Sequence, residues 1–300
     1  MAKQPRILVG QVAAITGGAR GIGRATAHAL AREGVKVAIG DLDLDVAKAT
    51  AQEVGAGAIA LPLNVTDQGS FAAFLDGVEE QLGPLDVLIN NAGIMQLGPF
   101  LSEDPKTTRR MIDINIYGVH YGAMLALERF VPRGRGHLVN IASAAGKAGY
   151  PHGVTYCGTK HYVVGMSESL RGELRGTGVE VSCVMPVVVH TELGSGLPTT
   201  RGVKQVEPED VANEIVAALK EPRFDVFVPR SVAAINTVMQ VVPRRGREAL
   251  GRALKADKVL SGADPSIRAT YELRAQQSGP GLEPGEQAKE LEESSAGSQQ

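Results

Sequence analysis

Short runs of Val, Ile, Leu and Ala alternate with longer stretches of helical periodicity from the N-terminus to about residue 230. The runs predict strands at residues 12–16, 35–40, 58–63, 86–90, 136–143, 179–186 and 225–229. The stretches between them predict helices at 21–33, 46–54, 68–82, 103–130, 155–176 and 207–219. Strands that are apolar throughout and separated by helices are typical of a parallel sheet buried on both faces. The pattern therefore predicts an α/β fold with a doubly wound parallel sheet.

The pattern changes near residue 230, where the last predicted strand ends. Residues 231–242 form an apolar helical stretch, and a Pro-Arg-Arg break at 243–245 separates it from a basic helical segment. Residues 276–300 are rich in Gly, Pro, Ser, Gln and Glu, a composition typical of disorder. We therefore expect a single domain over 1–230, a C-terminal helical extension over 231–275 and a disordered tail over 276–300.

Composition and charge exclude several classes of protein. The 300 residues are 43% hydrophobic and 21% charged, and their formal net charge of -2 gives no attraction to nucleic acid or anionic lipid. Cys157 and Cys183 form no Cys-x-x-Cys pattern and the histidines have no ligand-like spacing, so we expect neither a disulfide framework nor a metal site. The apolar run at 231–242 is shorter than the ~20 residues of a membrane-spanning helix. The N-terminal segment is not a convincing signal peptide, and we expect a cytoplasmic protein.

The sequence TGGARGIG, from Thr16 to Gly23, follows the first predicted strand and opens the first helix. A glycine-rich turn at this place lets the backbone approach a pyrophosphate and directs the N–H groups of a helix N-terminus at it. Glycines alone also occur in ordinary tight turns, but here an acidic residue, Asp41, also ends the second strand. The combination predicts a dinucleotide-binding Rossmann fold.

Asp41 follows Gly23 at the spacing where a carboxylate can accept hydrogen bonds from both hydroxyls of the adenosine ribose and would repel a 2′-phosphate. At an effective dielectric constant of about 20, two unit charges ~4 Å apart interact by roughly 4 kcal/mol, so NAD(H) is favoured. Arg20 and Arg24 instead favour NADP(H), because a guanidinium near the turn could pair with a 2′-phosphate. NADP(H) therefore stays the less favoured alternative.

A tyrosine and a lysine stand four positions apart in VTYCGTKHYVVG, within the helix predicted at 155–176. Residues i and i+4 share a helix face, which places Lys160 beside Tyr156. An ammonium ~5 Å from the phenol, at an effective dielectric constant of about 20, would lower a phenol pKa of about 10 by about two units. Tyr156 is then a candidate general acid/base, whereas an isolated pair of this kind would more often lie on a solvated helix face.

Several motifs in one order resemble the short-chain dehydrogenase/reductase family over about residues 8–230. TGGARGIG is similar to the family's T-G-x-x-x-G-x-G, and NNAG at 90–93 is similar to its motif after the fourth strand. Asn115 in DINIYG, Ser143 in NIAS and the pair in YCGTK complete the catalytic pattern, and Ser143 precedes Tyr156 by the family's usual interval. The resemblance implies a Rossmann-type catalytic domain over 1–230 that oxidises an alcohol or reduces a ketone with a nicotinamide cofactor.

The resemblance also implies a role for each matching residue. Ser143 would hydrogen-bond the substrate oxygen near the Tyr156 hydroxyl, and Lys160 would also bind the nicotinamide ribose. Asn115 would position water in a proton relay toward Lys160, which makes these four residues the expected catalytic set. The expected cofactor contacts are Thr16, Gly17, Arg20, Gly21, Ile22, Gly23, Asp41, Leu42, Asn64, Val65, Asn91, Ala92, Gly93, Tyr156, Lys160, Pro186, Val189 and Thr191.

Some positions depart from the family's pattern. Asn64 stands where Asp is frequent beside the adenine, although an amide can still donate and accept hydrogen bonds. Val187 replaces a glycine, which could shift the backbone near the nicotinamide. Cys157 and Gly158 stand where Ala and Ser are frequent. We expect Cys157 to be inert packing and Gly158 to permit a tight helix contact, since a glycine inside a helix otherwise costs ~1 kcal/mol.

The expected substrate site is mostly apolar. With the family's geometry it would be lined by Leu97, Pro99, Ala145, Gly149, Tyr150 and His152, and a mobile loop at 191–206 would close it. No charged anchor is evident, which favours a hydrophobic alcohol or ketone such as a steroid, a retinoid or a lipid-like molecule. The segment at 231–258 is expected to pack on the core as an extra helix. The alternatives are that it covers the pocket, extends an oligomer interface or lies on a membrane surface.

We therefore expect an NAD(H)-dependent oxidoreductase that acts on a secondary alcohol or ketone. The resemblance implies a homodimer or homotetramer built through the long helices around Asn115 and Tyr156. An NADPH-dependent carbonyl reductase is the first alternative. A non-enzymatic dinucleotide-binding sensor would be expected to lack Ser143, Tyr156 and Lys160, which this chain has. A lipid-binding protein at a membrane surface is a further alternative, although membrane contact through 231–258 is not expected.

Overall fold

A twisted parallel sheet forms the centre of the computed structural model, which describes residues 5–198, 204–253 and 255–277. Over these residues the sheet has seven strands, all parallel, in the order β3-β2-β1-β4-β5-β6-β7. The strands are β1 Val12–Thr16, β2 Lys36–Asp41, β3 Ile59–Pro62, β4 Val87–Asn90, β5 Gly136–Ile141, β6 Val179–Pro186 and β7 Asp225–Val228. The prediction of a doubly wound parallel sheet is therefore confirmed.

Helices cover both faces of this sheet. In chain order they are α1 Gly21–Arg32, α2 Leu44–Val54, α3 Gln68–Leu82, α4 Pro105–Ile112, α5 Gly118–Arg133, α6 Val154–Glu173, α7 Pro208–Lys220, α8 Ser231–Val241, α9 Arg244–Ala253, α10 Lys258–Ser261 and α11 Pro265–Gln277. Helices α1, α2 and α7 bury their apolar stripes on one face, and α3, α5 and α6 bury theirs on the other. The inner strands are therefore buried on both faces, as in other parallel sheets covered by helices, and the edge strand β3 is partly exposed.

Acidic side chains fix where several helices begin. The carboxylates of Asp43, Asp67 and Asp104 accept hydrogen bonds from backbone N–H groups in the first turns of α2, α3 and α4. Glu207 and Asp210 form a reciprocal capping box at the start of α7. Helix α1 differs, because Arg20 precedes it and no side chain caps its first turn.

The single helix expected at 103–130 is divided in the structure. A 3-10 turn at Phe100–Ser102 precedes α4, and a π-helical turn at Asp113–Tyr117 joins α4 to α5. The π turn inserts one extra residue into the helix. The periodicity of the sequence does not reveal this insertion, because apolar residues continue at helical spacing on either side of it.

The extension beyond β7 consists of α8 to α11 in the described part of the chain. Helix α8 leaves Val238 and Val241 exposed, whereas Leu260, Arg268 and Ala275 in the last two helices are buried. Helices α10 and α11 thus pack against the rest of the protein. Of the predicted tail, residues 276 and 277 complete α11 and residues 278–300 lie outside the described residues. None of the described helices is long and apolar enough to cross a membrane.

Candidate active site

The predicted site residues converge at the carboxyl ends of the first six strands, β1 to β6. The order of the strands reverses between β1 and β4, and a crevice outside the sheet opens at such a point. A cavity of about 1660 Å³ occupies this crevice and continues under the extension. Because each strand ends at the same edge, side chains that are far apart in sequence line one space.

The glycine-rich loop forms the floor of this cavity after β1. Gly17 has a φ of +62°, and a Cβ atom there would lie 2.8 Å from the Cα of Ala92. A Cβ on Gly23 would lie 2.4 Å from the carbonyl oxygen of Gly17. Thr16 fixes the loop from beneath, because its hydroxyl accepts hydrogen bonds from the backbone N–H groups of Asn91 and Ala92, each at 3.0 Å. The loop can therefore take this path only with glycine at these positions.

Asp41, at the end of β2, lies half-buried beside the loop. Its carboxylate accepts hydrogen bonds from the backbone N–H groups of Ala19 and Asp43, at 3.0 and 3.1 Å. Burial nevertheless raises the pKa of Asp41 above its ordinary value of 3.8. Arg20 pairs with Asp43 at 2.8 Å, and Asp45 also lines this end of the cavity. Carboxylates therefore outnumber guanidinium groups where the loop meets β2.

Tyr156 and Lys160 lie on one face of α6, next to the end of β5, and are only 7% and 6% exposed. The Nζ atom of Lys160 is 5.8 Å from the centre of the Tyr156 ring and donates a hydrogen bond to the carbonyl oxygen of Ile141 at 2.9 Å. Ser143 follows β5, and its Oγ accepts a hydrogen bond from the backbone N–H of Ala145 at 3.1 Å. The three side chains thus line one region of the cavity.

The expected lowering of the Tyr156 pKa is not seen in the structure. Burial raises the pKa of this phenol above its ordinary value of 10, and a hydrogen bond with Ser143 offsets only part of the increase. Burial also lowers the pKa of Lys160 from 10.5 to about 8. The expectation from the sequence placed both groups in a polar medium, whereas both lose their hydration in the folded site, and this loss is the largest cause of each shift in pKa.

Asn115 sits in the π turn, fully buried. Its Oδ1 accepts a hydrogen bond from the backbone N–H of Ile94, and its Nδ2 donates to the carbonyl oxygen of Ile94, both at 2.9 Å. The same Nδ2 donates to the Thr159 hydroxyl at 3.1 Å. The side chain therefore ties the segment after β4 to α6, directly before Lys160, and it does not line the cavity.

Most of the predicted cofactor contacts line the cavity. Those that do are Gly17, Arg20, Gly21, Ile22, Asp41, Leu42, Asn64, Val65, Asn91, Ala92, Gly93, Tyr156, Lys160, Pro186, Val189 and Thr191. Thr16 and Gly23 lie behind this wall and shape the loop instead. Asn64 lines the cavity with its Oδ1 already accepting hydrogen bonds from Thr66.

The expected substrate pocket needs several corrections. Ala145, Gly149 and Tyr150 line the cavity, but Leu97, Pro99 and His152 do not. A Cβ on Gly158 would meet no atom of the described chain within 4 Å, so this glycine permits no tight contact there. The pocket is also less purely apolar than expected, because charged residues of the extension line its outer part. These residues are Arg244, Arg247, Glu248, Arg252, Asp257 and Arg274.

Sequence reasoning missed two residues of α11, Tyr271, which lines the cavity, and Arg268, which bonds to segments that form its wall. Arg268 is 1% exposed and bonds to the segment after β4 and to the loop after β6. Tyr271 lines the cavity together with Tyr156. Their i, i+3 spacing places them on one helix face after Pro265, a helix-start signal, but no motif marked them as part of the site.

The residues present fit a dinucleotide cofactor. The first turn of α1 has neither a side-chain cap nor an acidic residue, so its N–H groups remain available to a pyrophosphate. Glycines remove side chains at the closest approach, and a carboxylate ends β2 for a ribose. Among the described residues no three His, Cys, Asp or Glu side chains form a group that could hold a metal ion.

Comparisons with known proteins agree with this geometry. The family model for short chain dehydrogenases matches residues 11–202. A sorbitol dehydrogenase of Cereibacter sphaeroides is 38% identical over 191 residues, which are 63% of this chain and 75% of the relative. A 3-alpha-(or 20-beta)-hydroxysteroid dehydrogenase of Mycobacterium tuberculosis is 34% identical over 214 residues, 70% of this chain and 82% of the relative. A short chain dehydrogenase/reductase from Burkholderia phymatum, solved in complex with NAD, is similar with a TM-score of 0.72 at 26% identity, covering 78% of this chain and 94% of that one.

Fold and site together define an oxidoreductase that acts on an alcohol or ketone with a nicotinamide cofactor. The chain belongs to the short-chain dehydrogenase/reductase family, since the family model covers more than half of its length.

Proposed function

We propose that the protein is an NAD(H)-dependent oxidoreductase that transfers a hydride between the nicotinamide and the carbon of a hydrophobic secondary alcohol or ketone. The observation that carries the preference for NAD(H) is the carboxylate cluster at the end of β2. Asp41, Asp43 and Asp45 line the cavity there, and the nearest guanidinium, that of Arg20, already pairs with Asp43. A 2′-phosphate would meet this cluster, whereas ribose hydroxyls would donate hydrogen bonds to Asp41.

In the proposed reaction Tyr156 moves the proton. In reduction the phenol gives its proton to the carbonyl oxygen, and in oxidation the phenolate takes the proton of the hydroxyl and becomes the phenol, while Ser143 holds that oxygen. The nicotinamide, when bound, supplies or accepts the hydride. Lys160 keeps a positive charge beside the phenol below a pH of about 8, the value to which burial lowers its pKa. Asn115 acts as a positioning residue, because its side chain ties Ile94 to Thr159.

Apolar side chains in the wall of the cavity support the proposed substrate class. Ile94, Met95, Leu193, Leu197 and Phe227 line the cavity together with the small residues after β5. Burying the rings or chains of a steroid, retinoid or lipid-like molecule against this surface would supply the binding energy. The hydroxysteroid dehydrogenase among the relatives supports this class, whereas the sorbitol dehydrogenase is named for a polar substrate.

We also propose a homodimer or homotetramer in the cytoplasm. Tyr117 and Val154 are 45% and 48% exposed at the starts of the long helices α5 and α6, which gives these helices apolar surface for a second copy. Cys157 and Cys183 are free, buried thiols, as is common in a reducing compartment.

Turnover of secondary alcohols with NAD+ and with NADP+ tests the function and the cofactor preference together. We expect kcat/KM to be higher with NAD+ than with NADP+. Asp41→Asn should reduce the ratio of kcat/KM with NAD+ to kcat/KM with NADP+ about tenfold or more, since like charges near 4 Å repel by up to ~4 kcal/mol. Asp43→Asn should have a smaller effect in the same direction, because it releases Arg20. Asp225→Asn, at the opposite edge of the sheet, is the control. Faster turnover with NADP+ in the unmodified protein would instead favour the carbonyl reductase, and binding of NADH without any turnover would favour the sensor.

A further inference from the structure

Helix α11 places a buried arginine directly behind the wall of the candidate active site. Arg268 is 1% exposed, and its guanidinium donates to the carbonyl oxygens of Leu193 at 2.9 Å, Ser195 at 3.0 Å and Met95 at 2.9 Å. Its Nε donates to Glu272 at 3.2 Å. A buried charge is expensive unless it is paired and its donors are satisfied, and here both conditions are met. One side chain thus joins the loop after β6 to the segment after β4.

Two glycines of the catalytic domain make room for this contact. Gly196 has a φ of +70°, and a Cβ there would lie 2.9 Å from the carbonyl oxygen of Asp264 and 3.1 Å from the Cγ of Arg268. The N–H of Asp264 donates to the carbonyl oxygen of Gly196 at 2.9 Å. A Cβ on Gly153, directly before α6, would lie 2.3 Å from the Cδ1 of Leu260. The domain and its extension are therefore fitted to each other next to the catalytic helix.

Tyr271 is the residue that this contact presents to the cavity. The Arg268 guanidinium lies over the Tyr271 ring, 5.2 Å from the ring centre. The Tyr271 hydroxyl oxygen accepts a hydrogen bond from the backbone N–H of Met95 at 2.8 Å. Both contacts fix the ring, and neither uses the hydrogen of the Tyr271 hydroxyl. Among the described residues no atom accepts a hydrogen bond from this hydroxyl. Burial raises the pKa of Tyr271 to about 12, so the group stays a donor at neutral pH. Tyr271 and Tyr156 line the same cavity.

We propose that Tyr271 determines substrate specificity by donating its hydroxyl hydrogen to a second oxygen atom of the substrate, distinct from the oxygen that reacts at Tyr156. Arg268 is the positioning residue that holds α11 and Tyr271 in place. The expected ligand is a hydrophobic alcohol or ketone with a further carbonyl or hydroxyl group, because apolar side chains such as Ile94, Met95 and Leu197 line the same cavity as this fixed donor. This proposal rests on the proposed function, since it concerns the substrate of the same site.

The experiment compares two substrates in steady-state kinetics with NAD+. One is a hydrophobic secondary alcohol with a single oxygen, and the other is its analogue with a distant carbonyl group. Tyr271→Phe should lower kcat/KM about tenfold for the analogue, mainly through KM, and leave the simple alcohol within about twofold. Leu273→Ala, on the same helix with its side chain 57% exposed, is the matched control and should change neither.

Equal effects of Tyr271→Phe on both substrates, or none on either, would overturn the specificity role. An equal loss would mean that the hydroxyl only supports the backbone at Met95. If the unmodified protein binds NADH but turns over neither alcohol, and neither ketone in reverse, the proposed function fails, and this inference fails with it. Turnover of both substrates without discrimination by Tyr271 defeats the inference alone.

The positioning role of Arg268 has a separate readout in proteolysis of the loop after β6. Arg268→Met should increase the rate of thermolysin cleavage between Leu193 and Leu197 and raise KM for both substrates. The variant should still unfold in one cooperative thermal transition and bind NADH. Arg268→Lys should restore part of the protection, because an ammonium can reach some of the three carbonyl oxygens but not all in one plane. Arg245→Met, on the exposed surface of α9, is the control. Unchanged cleavage in Arg268→Met would show that Arg268 does not hold the loop.

Discussion

At the scale of single residues, Tyr156 and Lys160 show how burial changes the pKa values of two neighbouring groups. Both side chains are almost fully buried, and Lys160 directs its Nζ to the Ile141 carbonyl rather than to the phenol oxygen. The pKa of Tyr156 is therefore raised in the protein alone, which keeps the phenol protonated at neutral pH. A protonated phenol is in the state needed to reduce a ketone, whereas oxidation needs the phenolate and should become faster as the pH rises.

Removing the phenol oxygen tests this role directly. Tyr156→Phe should lower kcat by about 10²–10⁴-fold, the usual contribution of a general acid/base, with little change in the affinity for NADH. Stopped-flow turnover and fluorescence titration with NADH measure the two quantities. Tyr162→Phe, on the same helix but outside the cavity lining, is the control. Turnover within tenfold of the unmodified protein would remove Tyr156 from the mechanism.

Asp41 gives a second prediction, on the pH dependence of cofactor binding. Its pKa is raised by burial above 3.8, so the carboxylate takes up a proton at a higher pH than a free aspartate does. Protonation removes the negative charge and one acceptor for the ribose hydroxyls. The Kd for NAD+ should therefore increase about tenfold as the pH falls from neutrality through the pKa of Asp41. Calorimetric titrations over this range should show a flat profile for Asp41→Asn, and an equally flat profile in the unmodified protein would contradict the assignment.

The sequence alone sufficed for the residues that carry local motifs. Gly17, Asp41, Ser143 and Tyr156 could be predicted because strand ends and helix spacing fix their places relative to one another. Tyr271 could not, since its position in the site depends on how α11 packs against segments that are distant in the sequence. The direction of the pKa shift of Tyr156 could not be predicted from the sequence either, because the hydration of a side chain depends on the folded site.

At the scale of elements, the π turn between α4 and α5 explains how α6, the helix of Tyr156 and Lys160, is held. Asn115 faces inward from this turn and links Ile94, after β4, with Thr159 on α6. A regular helix would rotate the following residues by about 100°. The apolar periodicity predicted one helix over 103–130 and missed its division into α4 and α5, since an inserted residue leaves the pattern on each side intact.

Close packing of α5 against the sheet leads to a prediction about stability. A Cβ on Gly122 would lie 2.2 Å from the Oδ1 of Asn90 and 2.7 Å from the Cζ of Phe71. Gly122→Ala should therefore lower the free energy of unfolding by ~1–3 kcal/mol through overpacking. Gly165→Ala in α6, where a Cβ meets nothing within 4 Å, is the matched control and should gain up to ~1 kcal/mol. Urea denaturation measures both, and equal stabilisation by the two variants would contradict the packing described at Gly122.

At the scale of the whole molecule, the cavity links parts of the chain that have no local connection. Its wall includes residues at or directly after the carboxyl ends of the strands, the loop after β6 and the helices of the extension. Hydrogen bonds from Arg268 and Asp264 connect the extension to that loop. Asn91 connects β4 to the glycine-rich loop, because its side chain donates to the carbonyl oxygens of Thr16 and Gly17. A ligand in this cavity should therefore stabilise the catalytic domain and the extension together.

Thermal unfolding with and without cofactor tests this coupling. NAD+ at 100 times its Kd should add ~2.7 kcal/mol to the free energy of unfolding and raise Tm by roughly 5–10 °C for a protein of this size. NADP+ at the same concentration should have a smaller effect because of Asp41. We expect one transition rather than two, since the buried contacts of Arg268 and Leu260 make separate melting of α10 and α11 unfavourable. An early transition that NAD+ does not shift would show that the extension unfolds independently of the catalytic domain.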